Sequence, residues 1–64
     1  MKVILPDGSS RDLDVQESPI ENVLLSLGIN PAGVIVARNG LFVPGDSLVR
    51  ETDVLRIYLI SHGG

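Results

Sequence analysis

Ser18-Pro19-Ile20-Glu21-Asn22-Val23-Leu24-Leu25-Ser26-Leu27-Gly28-Ile29-Asn30-Pro31 is the stretch that decides how the rest of the chain can fold. Ile20, Val23, Leu24 and Leu27 recur at i, i+3, i+4 and i+7, which lines up one face of a helix. Ser18 is placed to cap it, Pro19 suits the first helical position, and Glu21 completes a capping box. Gly28 supplies a left-handed stop, Ile29 the apolar contact that follows such a stop, and Pro31 blocks continuation. The spacing predicts one helix of roughly three turns, punctuated at both ends.

The flanking segments alternate with a period of two. Upstream, Val3-Ile4-Leu5 is a short apolar run ended by Pro6-Asp7-Gly8-Ser9, and Arg11-Asp12-Leu13-Asp14-Val15 then alternates polar and apolar. Proline presets φ and glycine accepts positive φ, so the pair of runs reads as a hairpin. Downstream, Val34-Ile35-Val36-Ala37 reads as a strand, Asn39-Gly40 as a tight turn, and Leu41-Phe42-Val43 as the answering strand closed by Pro44-Gly45-Asp46. Leu48 and Val49 read as apolar plugs in a winding loop. The longest strand is expected over residues 54–60, with Leu55, Ile57 and Leu59 on one face and Arg56, Tyr58 and Ile60 on the other.

The order is strand, strand, helix, strand, short strand, strand. One helix must cover one face of a mixed four- or five-stranded sheet, because nothing else is available to bury it. That arrangement is an α+β fold, the β-grasp of ubiquitin. The expected organisation is one domain over residues 1–60 and a free, flexible Gly-Gly tail over residues 61–64.

Composition narrows the function. A chain of 64 residues buries only about 60% of the surface it exposes when unfolded, so its core has little to spare. There is no cysteine, and His62 is the single histidine. A disulfide framework, an iron–sulfur centre held by cysteine and a Cys/His zinc site are all excluded, and no bound cofactor or metal is expected. The net charge of −3, from five basic and eight acidic residues, argues against direct nucleic-acid binding, which needs a basic patch. It suits docking onto a basic protein surface. No apolar run approaches a membrane span, and the N-terminus lacks the pattern of a signal peptide, so a cytoplasmic protein is expected. Asp12 and Asp14 read as a solvated strand face rather than a metal or acid/base pair. No catalytic arrangement surrounds His62, so the chain is not expected to be an enzyme.

The tail carries the chemistry. Ser61-His62-Gly63-Gly64 lies beyond the last patterned strand, and four extended residues reach about 13 Å. Glycine lets backbone enter a narrow tunnel because it has no Cβ. The terminal carboxylate is a poor electrophile and must be activated, most simply by adenylation with ATP. Gly64 is therefore the candidate site of activation, with Gly63, His62 and Ser61 as the arm that delivers it.

Asn39-Gly40, Val43-Pro44, Leu48, Asp53, Leu55-Arg56-Ile57, Ile60 and Gly63-Gly64 give the chain its resemblance to the ThiS/MoaD family of sulfur carriers and to their Urm-type and small archaeal ubiquitin-like relatives. The resemblance spans the domain, and its specific part is the final third. It implies that Gly64 is adenylated by a ubiquitin-activating-type enzyme using ATP and Mg. It implies conversion of Gly64 to a thiocarboxylate with sulfur from a cysteine desulfurase or rhodanese-type donor. The sulfur is then delivered for thiamine thiazole, molybdopterin or tRNA thiolation. His62 departs from the small residue common before the glycine pair in that family.

Arg56, Tyr58 and Ile60, joined by Phe42 or Leu41, are expected to form an apolar patch beside the tail on which partners dock. Two other functions use the same residues differently. A covalent modifier would join Gly64 to lysines of target proteins, and Lys2, the only lysine, limits chains built from such a modifier. A non-covalent binding module would leave the tail inert. The mass of the protein from its native cell separates the three.

Overall fold

In the computed structural model, residues 1–60 are described, and they form strands β1 (Lys2–Ile4), β2 (Ser10–Asp12) and β3 (Ser18–Pro19), helix α1 (Ile20–Ser26), a 3₁₀ turn (Pro31–Gly33), and strands β4 (Val34–Arg38), β5 (Leu41–Val43), β6 (Leu48–Val49) and β7 (Val54–Leu59). Five strands make one sheet in the order β2-β1-β7-β4-β5, and β3 and β6 pair separately. The central pair β1–β7 is parallel and the other pairs are antiparallel. A parallel pair needs a long crossover, and everything between β2 and β7 supplies it. This is the β-grasp arrangement, five-stranded, with α1 on one face.

Alternation puts Val3, Val34, Val36, Leu55 and Ile57 on the face beneath α1. There they meet Ile20, Val23 and Leu24 of the helix, together with Met1 and Val49. No polar or charged residue is buried with them among the described residues. The core is aliphatic, as the composition requires.

Both tight turns take the conformations their residues allow. Asn39 and Gly40 have φ of 51° and 89°, the pair of positive values that a two-residue hairpin turn of matching twist demands. At the end of α1, Gly28 has φ of 77°. Its N–H donates to Leu25 O and the Ile29 N–H donates back to Leu24 O at 2.9 Å, which is a complete Schellman closure.

The start of α1 differs from the expected capping box. Pro19 is the N-cap, and no side chain caps the helix. Ser18 pairs instead with Val49, and Pro19 with Leu48. That pairing brings the 45–47 loop over the helix end, where the N–H groups of Ile20 and Glu21 donate to Ser47 O and Gly45 O, each at 3.0 Å. Backbone carbonyls thus satisfy donors that would otherwise need a side chain. The helix is also shorter than expected, seven residues, or about two turns.

One further reading is corrected. Leu48 and Val49 form β6 rather than plugging a loop; Val49 is buried, whereas Leu48 is half exposed. Leu59 alternates with Leu55 and Ile57 yet is 67% exposed. Opposite Val34, it lies beyond the last residue of β7 that β1 pairs, so neither β1 nor the short helix covers it.

Candidate functional site

Gly64, Gly63, His62 and Ser61, the candidate activation site and its arm, lie outside the described residues. The strand that leads to them is well anchored. β7 is held by β1 on one side and β4 on the other, and beyond its last residue the Ile60 N–H still donates to Gly33 O at 3.1 Å. From Ile57 onward that anchoring comes from the β4 side alone, because β1 pairs only Val54 to Arg56.

On the face of the sheet away from α1, register decides which side chains meet. Ala37 faces Phe42 in β5 and Arg56 in β7, and Ile35 faces Tyr58. Phe42, Arg56 and Tyr58 are thereby brought together: the Phe42 and Tyr58 ring centroids are 5.6 Å apart, and the Arg56 guanidinium lies 5.6 Å from the Tyr58 ring. The first is a tilted aromatic contact and the second a cation–π contact. Ile60 follows the same alternation and is exposed.

Leu41 does not join them. It pairs with Arg38, which in turn pairs with Leu55, so it belongs to the opposite face of the sheet. Ile35 and Val54 do lie on the outer face, both exposed, and were not singled out in the sequence. The signal was present in the alternation of Val34-Ile35-Val36-Ala37, but assigning its faces needs the β4–β7 register. The result is a surface of Ile35, Phe42, Val54, Tyr58 and Ile60 with Arg56 as its cation.

The turn at one end of this face is clamped by side chains. The Asn39 amide donates to Asp53 Oδ1 at 3.0 Å and its oxygen accepts from the Val54 N–H at 2.9 Å. Asp53 also accepts from the Arg50 N–H at 2.9 Å. The Arg50 N–H and then the Asn39 amide hold the Asp53 carboxyl below its ordinary value, because both bonds favour the charged form. Asp7 is lowered in the same way, by the Ser9 hydroxyl first and the Ser9 N–H second. The Arg50–Glu17 ion pair, at 3.0 Å, is exposed and worth little.

Among the described residues no group of three or more His, Asp or Glu is placed to hold a metal. Asp12 and Asp14 are both exposed. No described helix is long and apolar enough to cross a membrane. The Ser9 hydroxyl donates to Asp7 Oδ1 at 2.6 Å within the exposed 7–9 turn.

No family model matches the chain, and no curated protein matches it. Among solved structures, the chain is similar to a thiamine biosynthesis protein (ThiS) from Geobacter metallireducens, with a TM-score of 0.69 and 20% sequence identity, covering 100% of both chains. At that identity the likeness is one of fold. The described residues, 1–60, therefore have the β-grasp fold, as ThiS does.

Proposed function

We propose that the chain is a ubiquitin-like sulfur carrier, acted on by enzymes rather than being one. The observation that carries this reading is the full-length likeness to ThiS in a sequence that continues after β7 with Ile60 and then Ser61-His62-Gly63-Gly64. In this reading the Gly64 carboxylate attacks the α-phosphate of ATP, held with Mg by an adenylating partner, and pyrophosphate leaves. The terminal sulfur of a persulfide on a cysteine desulfurase or rhodanese-type donor then displaces AMP to give an acyl disulfide. A second thiol cleaves its S–S bond, leaving the thiocarboxylate on Gly64 and a disulfide on the donor side. The partner's tunnel admits Gly63 and Gly64 because neither presents a side chain. Delivery for thiamine thiazole is the first expectation, with molybdopterin and tRNA thiolation as the other acceptors that share this chemistry.

The outer face of Phe42, Arg56, Tyr58 and Ile60 serves as the docking surface. It flanks the strand from which the tail departs, so a partner that takes the tail covers it. Large aromatic and arginine side chains are favoured anchors in such contacts. The test is ATP–pyrophosphate exchange with a ubiquitin-activating-type adenylating enzyme of the same cell. The full chain should support exchange, and a chain lacking Gly64 should not while melting at the same temperature. Equal exchange without Gly64 would remove the proposal.

A further inference from the structure

The two edges of the five-stranded sheet are unlike. β2, at one edge, is Ser10-Arg11-Asp12, with every residue exposed and opposite charges in sequence; short charged edges discourage further pairing. β5, at the other, is Leu41-Phe42-Val43, which carries no charge, and Leu41 and Phe42 are 73% and 64% exposed. Nothing in its sequence blunts it before Pro44.

The Asn39-Gly40 turn determines what this edge offers. A two-residue hairpin makes its flanking residues, Arg38 and Leu41, a hydrogen-bonded pair, and such pairs alternate along an antiparallel ladder. Val36 and Val43 form the next bonded pair, and Ala37 and Phe42 lie between them. The N–H and C=O of Phe42 therefore point outward from the sheet. The other side of β4 agrees: the Asn39 N–H donates to Val54 O at 2.8 Å, so residues two apart from Asn39, including Ala37, turn their amides toward β7. One donor and one acceptor are thus held in extended backbone by a rigid turn, beside an exposed ring.

We infer that β5 is a strand-addition site, at which an extended segment of a partner protein joins the sheet across Phe42. Main-chain bonds to Phe42 give such a segment its register, and its alternate side chains lie over the Phe42–Tyr58 rings on one face and against Leu41 on the other. A second copy of the chain does not fit. Each copy carries a net charge of −3 and repels the other. Charge indicates the segment's composition. The edge runs into Pro44-Gly45-Asp46, where Asp46 is exposed and a Glu21 carboxylate oxygen would lie 3.7 Å from a Cβ at Gly45. Arg38, the nearest cation in the hairpin, already donates to Leu48 O at 2.7 Å. An uncharged segment with a basic residue at the end lying against Pro44 complements this surface.

The experiment titrates isotopically labelled chain with short synthetic peptides of alternating valine and threonine, ended by lysine or by glutamate, and follows backbone amides by NMR. The lysine-ended peptide should produce saturable shifts centred on the Phe42 amide and slow its exchange with solvent. The glutamate-ended peptide should bind at least about tenfold more weakly. A chain synthesised with an N-methyl group on Phe42 should lose the response, since its outward donor is gone while the β4 pairing stands. Should that chain fail to fold, Phe42→Lys, which puts a charge on the edge, serves in its place. No saturable change at Phe42, a response centred on Ser10–Asp12, or an undiminished response in the altered chain would overturn strand addition here. Shifts at Phe42 that grow with concentration of the chain alone would overturn the assignment to a partner in favour of a second copy.

Discussion

The rings of Phe42 and Tyr58 meet across β4 with centroids 5.6 Å apart and planes inclined at 58°, although neither residue is the other's register partner. Phe42 faces Ala37 and Tyr58 faces Ile35, so the pair meets on a diagonal, within reach for large side chains. The residue between them is small. Ala37 is 6% exposed on what is otherwise an open face, because the rings and Arg56 close over it.

This geometry makes Tyr58 a surface anchor rather than a core residue. At 39% exposed, it should lose little stability on truncation: Tyr58→Ala should cost about 1 kcal/mol of folding, from the lost aromatic contact. Binding to the adenylating enzyme should fall much further, by about 2 kcal/mol or roughly thirtyfold. Calorimetric affinity and thermal unfolding of the same variant check both parts. Unchanged affinity with a large fall in melting temperature would make Tyr58 structural and remove it from the docking surface.

Ile57 is one alternation step away and has the opposite role. It is buried against α1 in the middle of β7, so Ile57→Ala should destabilise by about 2 to 5 kcal/mol. Small domains have about 5 to 15 kcal/mol in total, so much of the population could unfold. Urea unfolding of the free protein measures it, and an unchanged midpoint would show that the faces of β7 are reversed.

These two residues show how much of the fold was legible in the sequence. Period-two alternation separated Ile57 from Tyr58 correctly, and the Asn39-Gly40 and Gly28 signals named turns whose positive φ values the structure contains. What alternation could not supply was register. Leu41 sits on the far face because the hairpin pairs it with Arg38, and Leu59 is exposed because neighbouring elements stop short of it. The capping box failed for a related reason. Ser18 was claimed by a pairing with Val49 that is 31 residues away in sequence, beyond any local pattern. The tail, to which the proposed chemistry is assigned, was legible only as residue types and position.

Asn39 combines two duties that substitutions can separate. It accepts a φ of 51°, and its side chain ties the hairpin to Asp53 and Val54. Asn39→Gly keeps the backbone freedom and loses the bonds; Asn39→Ala loses both. Asn39→Gly should cost about 1 kcal/mol and Asn39→Ala about 1 kcal/mol more, for a non-glycine residue in the left-handed region. Denaturant midpoints of the two variants give the comparison. Equal midpoints would mean that the turn conformation contributes nothing.

Asp53 gives the fold an acid-sensitive joint. Its carboxyl is lowered from an ordinary value of 3.8 by the Arg50 N–H and the Asn39 amide. A group whose pKa falls on folding contributes stability above its unfolded value, and that contribution is lost as pH drops through the lower folded value. Stability should therefore decline below about pH 4, and the decline should be shallower in Asp53→Asn, which has no carboxylate there to protonate. Unfolding midpoints measured from neutral to acid pH check this. Parallel curves for the two proteins would assign the acid sensitivity elsewhere, with Asp7 the other lowered carboxyl.

The claim on which the account rests is that Gly64 carries sulfur. Intact-mass spectrometry of the protein from its native cell, followed by cleavage after Arg56, reads it directly. The account predicts a fraction of molecules heavier by the difference between one sulfur and one oxygen, with the increment confined to the terminal peptide that begins at Ile57. The increment should vanish when the adenylating enzyme is deleted. A terminal peptide found only as the free carboxylate, or only joined to lysines of other proteins, would contradict the carrier reading.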